Sequence, residues 1–196
     1  MLRAVQGRPR YAGRPTISWA DKSSAMASFK QDSEEWQRLD WRLLQNSPIT
    51  LYFQRPVLEA DTAWFVAHGY RVLSLRAEER QSPDELLVEL GKLLAFPDYY
   101  GRNLDAFNDC LSDVDVPDDG GLVVVLDQFD AFARLNPSFA QRVLDICANN
   151  SRRFLLTGLR FVVLVQSDDP RISFEPVGAS PVMWNPQEWL NSKRGL

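Results

Sequence analysis

Histidine is nearly missing from this chain, cysteine is scarce, and no apolar run approaches the ~20 residues that a membrane span needs. The single histidine, His68, stands just before Gly69, where a solvent-facing helix cap is expected rather than a catalytic or metal role. Cys110 and Cys147 lie in apolar, helix-like runs without CxxC spacing, so reduced, buried thiols and a cytoplasmic setting are expected. HExxH, P-loop and GxSxG patterns are absent, and no cofactor is called for. Base is not in excess either. A formal charge of -4 and a pI near 5.1 argue against a general nucleic-acid binder.

What is present fits one core of good size: 196 residues, 45% of them hydrophobic. Residues 1–32 are different in kind, with six bases (Arg3, Arg8, Arg10, Arg14, Lys22, Lys30) against Asp21 and Asp32 and no sustained period. A disordered basic arm is expected there, without a signal h-region. Two readings of it stand side by side, a nucleic-acid arm and a true start at Met26.

The rest divides into 33–69, 70–166 and a 167–196 extension packed on the domain. Ser33 is the expected cap of a helix carrying Trp36, Leu39, Leu43 and Leu44. Ile49 to Phe53 reads as a strand, Val57 to Ala67 as a helix and Tyr70 to Leu75 as a second strand, a unit whose strands should run parallel. Ser82-Pro83-Asp84-Glu85 opens a helix that must stop before Pro97. Leu122–Leu126 and Phe161–Val165 read as strands covered on both faces, with helices up to about residue 157 between them. Val182 to Trp184 suggests an edge strand and Pro186 to Asn191 a short terminal helix, with the tail tryptophans stapling it down.

Residues 96–111, Phe-Pro-Asp-Tyr-Tyr-Gly-Arg-Asn-Leu-Asp-Ala-Phe-Asn-Asp-Cys-Leu, draw the most attention. On a helix from Asn103, Asp105 and Asp109 share a face, opposite Leu104, Phe107 and Leu111. Two like charges one turn apart cost ~0.2–0.5 kcal/mol in an isolated helix. From Asp98 to Asp130 there are nine aspartates and one base, Arg102. Such a face suits a partner built to hold RNA phosphates. Tyr99 and Tyr100 add stacking area, Tyr99 the more exposed of the two by expectation, and Gly101 is expected to make the tight turn.

Tyr-Tyr-Gly, Asn-Leu-Asp-Ala and Asp-Cys-Leu at this ungapped spacing resemble the signature of the barstar family of ribonuclease inhibitors. The resemblance implies an α/β fold, a barstar-like three-layer-type sandwich with a small, mainly parallel sheet, extended by the N-terminal strand and helix. It implies a protein partner, a basic ribonuclease or nuclease toxin, and no enzymatic activity. It places Tyr99, Gly101, Asn103, Asp105, Asn108 and Asp109 at the interface. Asn108 and Val114 stand where the family's inhibitor carries tryptophans, and Asn149 or Arg153 where it carries an acid. The implied partner is therefore another nuclease than the classical secreted one. Two alternatives come from other classes: an interaction module that keeps the fold without inhibiting, and a metal-dependent hydrolase using the paired aspartates.

Overall fold

The two unbroken aliphatic runs form the middle of the sheet. They are the strands Gly121–Asp127 (β3) and Phe161–Gln166 (β4), with Leu122 to Leu126 and Phe161 to Val165 all buried. In this computed structural model, which describes residues 33–196, three further strands flank them: Ile49–Tyr52 (β1), Tyr70–Arg76 (β2) and Met183–Trp184 (β5). The arm of residues 1–32 and its expected disorder lie outside the described residues. The five strands are parallel, in the order β2-β3-β4-β1-β5. β1 and β2 run parallel as their pattern required but are not neighbours. Ile49 pairs with Val163 and Tyr70 with Gly121, so β4 and β3 stand between them.

Side chains alternate across the sheet and supply two cores. Val123, Val125, Val162 and Leu164 face Leu43 and Phe65 from the helices Leu39–Asn46 (α1) and Arg55–Ala67 (α2). Leu122, Val124, Val163 and Val165 face the larger cluster, built with Pro83–Leu93 (α3), Leu104–Ser112 (α4), Phe129–Leu135 (α5) and Pro137–Leu156 (α6). Side chains that read as long apolar runs in the sequence are thus shared between two layers of helix.

Two terminal elements differ from expectation. Ser33 caps nothing: Glu35–Gln37 is a single 3-10 turn and the helix begins at Leu39 after an extended Arg38. The reason is Asp40, which is fully buried and accepts from Arg38 Nε (3.0 Å), Arg38 Nη2 (2.6 Å), Tyr70 Oη (2.6 Å) and its neighbour's N–H at Trp41 (2.8 Å). That network fixes the chain's entry, and Trp36 is left 54% exposed. At the other end no helix forms from Pro186 to Asn191. The chain makes a turn there, in which Asn185 Oδ1 accepts from Gln187 N–H (2.9 Å), and a 3-10 helix follows at Asn191–Arg194. Trp184 packs on the core with the Arg194 guanidinium 4.5 Å from its ring centre, whereas Trp189 is 58% exposed, so one tryptophan of the tail staples it and the other does not.

The aspartates of residues 98–130 do not form one surface. Asp127, at the end of β3, pairs with Arg55 (2.9 Å), and Asp130 is buried against Arg134 (3.0 Å). Asp118 and Asp119 lie in the turn before β3, at the opposite end of that strand.

Candidate functional site

The segment with the signature is held at both ends by local chemistry. α3 starts in a capping box, Ser82 with Glu85, and ends at Leu93 with Leu94 as its C-cap; Ala95 then takes a left-handed conformation (φ 53°). Phe96 N–H donates to Gly91 O (2.8 Å) and Tyr100 N–H to Pro97 O (2.9 Å), closing the loop on itself. The second left-handed residue is Arg102 (φ 51°), so the turn into the helix is made there and not at Gly101. Gly101 is exposed and leaves room for Ala106, whose Cβ would lie 3.4 Å from a Cβ at that position.

Asn103 caps α4, its Oδ1 accepting from Ala106 N–H at 2.8 Å. Leu104, Phe107 and Leu111 are buried beneath the helix, while Asp105 and Asp109 are exposed on its outer side. Asp105 also sits in the first turn, where the helix dipole favours an anion. Neither carboxylate has a cation partner among the described residues, whose ion pairs lie elsewhere. Asn108 turns inward, half-buried, its Oδ1 accepting from Asn150 Nδ2 of α6 at 2.9 Å.

The loop tyrosines separate. Tyr99 is 85% exposed. Tyr100 packs edge-on against Phe96 (5.0 Å), and burial pushes its hydroxyl up to about 12. On α6, Asn149 and Arg153 are both exposed, and Asn149 donates to Asp145 (3.2 Å).

Beside Tyr99 runs an open groove of about 470 Å³ between β2, the end of α3 and the end of α4. Leu73, Leu93, Phe96 and Val114 form its apolar floor, and Asp109, Asp113 and Asp115 are among its walls. Cys110 also lines it, half-buried and not fully buried as its pattern suggested. Leu73 and Arg71 come from a strand more than twenty residues earlier in sequence, and nothing in the local pattern of residues 96–111 announces them.

The family model of Barstar (barnase inhibitor) matches residues 70–166, the stretch from the first residue of β2 to the last of β4. A protein of Bacillus subtilis (strain 168) named "Putative ribonuclease inhibitor YrdF" is 46% identical over 77 residues, which are 39% of this chain and 80% of that protein. The chain belongs to the barstar family. Barstar-family proteins are ribonuclease inhibitors and not enzymes, so the two aspartates are set in a binding protein. No group of three or more metal-ligating side chains occurs among the described residues. β1, α1, α2 and β5 lie outside the barstar match yet extend its sheet and cover one face of it. No described helix is long and apolar enough to cross a membrane.

Proposed function

We propose that the chain inhibits a basic ribonuclease or ribonuclease-like toxin by laying the exposed face of α4, with the Tyr99 loop, over the enzyme's active site. The observation that carries this is the pair Asp105 and Asp109, which stand on one solvent-facing helix side without cation partners among the described residues. An RNA-cleaving site must offer positive charge where phosphates bind, and carboxylates can take those places. Complementary fields then speed encounter; barnase and barstar themselves are the standard measured case of this effect. Tyr99 supplies a large, rigid side chain that is already exposed. Asn103 and Gly101 shape the loop-to-helix junction, and Asn108 holds the inner side of the helix to α6.

The test is titration of RNA cleavage by barnase and by a panel of basic ribonucleases with the purified chain. Inhibition of one of them is expected, weakened at least tenfold by Asp109→Ala and less sensitive to salt in that variant. If Asp105→Ala and Asp109→Ala both leave inhibition and its salt dependence unchanged, the proposed face is wrong.

A second reading is an interaction module that keeps the fold without inhibiting. Exposed Arg153, a cation at one of the positions where the resemblance expects an acid, favours it. Failure to inhibit any ribonuclease of the panel would leave this reading in place of the first.

A further inference from the structure

We infer that the outer edge of β2 is a self-association surface, on which β2 of a second copy of the chain pairs antiparallel about a two-fold axis at Leu73. The groups involved lie off the outer face of α4, so the inference goes beyond the ribonuclease reading and does not depend on it.

β2 stands at one end of the sheet and offers an edge of 7 residues, against 2 for β5 at the other end. The ladder determines which of its backbone groups face outward. Leu122 N–H donates to Arg160 O (2.8 Å) on the β4 side, so the alternate residues of β3, Val123 and Val125, turn toward β2. Val123 lies opposite Val72 and Val125 opposite Ser74, a parallel register that takes up the groups of Arg71, Leu73 and Leu75. Val72 and Ser74 therefore point their N–H and C=O groups away from the sheet, where neither backbone has a partner among the described residues.

No described helix covers this edge. A groove of about 350 Å³ lies between Val72, Ser74 and α2, and an open depression of about 440 Å³ between Ser74, Leu75 and α3. Val72 and Leu73 are half-buried and Ser74 is exposed. Soluble proteins blunt a long edge with charge, a bulge or proline. In β2 the charges stand at the ends, Arg71 and Arg76, and Val72 to Leu75 carry none.

Two features select a second copy as the occupant. The first is symmetry. Val72 and Ser74 flank Leu73, so a copy turned about Leu73 sets its Ser74 opposite Val72 and its Val72 opposite Ser74, each N–H meeting a C=O. The two Leu73 side chains then meet on one face of the joined sheets. The second is charge. At the foot of β2 stand exposed Asp115, Asp118 and Asp119, with Arg71 Nη1 3.2 Å from Asp115 Oδ2. At its head the bases protrude further than the acids that accompany them: the Arg76 and Lys92 side chains are 59% and 69% exposed, those of Glu78 and Glu89 32% and 29%. A copy running parallel would lay acid beside acid. The antiparallel copy lays each acidic foot beside the other's Arg76 and Lys92.

The test is sedimentation velocity of the full chain across a hundredfold range of concentration, with amide exchange followed by NMR on the same samples. A shift from 22.4 kDa to twice that mass is expected as concentration rises. Exchange at Val72 and Ser74 should slow with it, while Leu73, whose N–H faces β3, is protected throughout. Ser74→Pro removes an outward N–H without removing a donor from the ladder to β3, and should abolish the dimer. Ser74→Lys, an exposed change that keeps the fold should the proline variant not fold, should weaken it at least fivefold. Oxidation in a Cys110→Ser background reads the register. Leu73→Cys, on the axis, should give a disulfide-linked dimer, whereas Arg71→Cys, set opposite Leu75 of the second copy, should not. A chain that stays monomeric while Val72 and Ser74 exchange fast overturns the inference. So does a monomer in which both amides are protected, because another segment of the same chain then covers the edge. A dimer untouched by Ser74→Pro and Ser74→Lys overturns it as well, since the copies then meet elsewhere.

Discussion

The ring of Tyr100 lies against the backbone of Gly91 so closely that a Cβ on Gly91 would fall 2.8 Å from Tyr100 Cε1 and 2.9 Å from Cδ1. Alanine in place of glycine normally stabilises a helix by roughly 0.5–1 kcal/mol. Here overpacking costs about 1–3 kcal/mol and outweighs that gain. Gly91→Ala is expected to lower stability in urea unfolding. It should also weaken ribonuclease binding, because the ring it displaces anchors the loop that carries Tyr99.

Asp105 and Asp109 should part company in stability while acting together in binding. Asp105 sits in the first turn of α4, where an acid gains about 0.3–1 kcal/mol from the helix dipole; Asp109 lies beyond that turn. Denaturant titration is expected to show Asp105→Ala destabilised and Asp109→Ala unchanged or slightly stabilised. Equal destabilisation of both would show that the dipole is not what distinguishes them.

Asn103 combines a structural bond with an interface position. Asn103→Ala removes the cap on Ala106 N–H and should cost about 1 kcal/mol of stability. Asn103→Ser keeps a capping oxygen and should restore most of that loss. Any affinity defect that persists in the serine variant measures the amide's own contact with the partner.

The two thiols should alkylate at different rates. Burial raises Cys110, and the charges of Asp109 and Asp113 raise it further; Cys147 is wholly buried and pushed up to about 12. Iodoacetamide at pH 7.5 should modify Cys110 slowly and Cys147 only on unfolding, as read by peptide mass spectrometry. Asp109→Asn with Asp113→Asn should speed the Cys110 reaction.

Glu188 ties the tail to the start of α2, its two carboxylate oxygens accepting from Phe53 N–H (3.0 Å) and Gln54 N–H (2.5 Å). Burial raises its carboxyl above the ordinary 4.5, against the lowering effect of those N–H groups and of Arg194. A group raised in the folded state contributes stability that is complete below its unfolded value and is lost as pH rises through the folded one. The wild type's advantage over Glu188→Gln should therefore be largest near pH 4 and shrink toward neutrality, as measured by unfolding across that range. Asp61 is raised in the same direction by burial and remains in both proteins.

Much of this architecture is written in local pattern. The aliphatic runs of β3 and β4 read as strands covered on both faces because both faces are covered, and the caps at Ser82 and Asn103 start helices where they stand. Leu104, Phe107 and Leu111 state which way α4 faces. The failures are long-range. Asp40 is drawn into a network with Tyr70, thirty residues on, and that displaces the expected helix start. Asp127 and Asp130 look like part of an acidic surface until Arg55 and Arg134 are found beside them. The left-handed residue of the loop is Arg102 beside a glycine that does not need to be left-handed, a choice made by the packing of the loop and not by propensity. The groove was hidden for the same reason, since Arg71 and Leu73 of its lining come from β2.

The position of β1 has a bearing on how the chain comes to be made. Among the described strands it leaves the ribosome first, yet its partners on either side, β4 and β5, are the last two to emerge. Its edges stay without strand partners for most of synthesis, while β2, β3 and β4 can assemble in the order of their appearance. Closing so distant a pairing is slow. The newborn chain thus carries a strand with unpaired edges until β4 and β5 are free, a window in which a chaperone has something to hold.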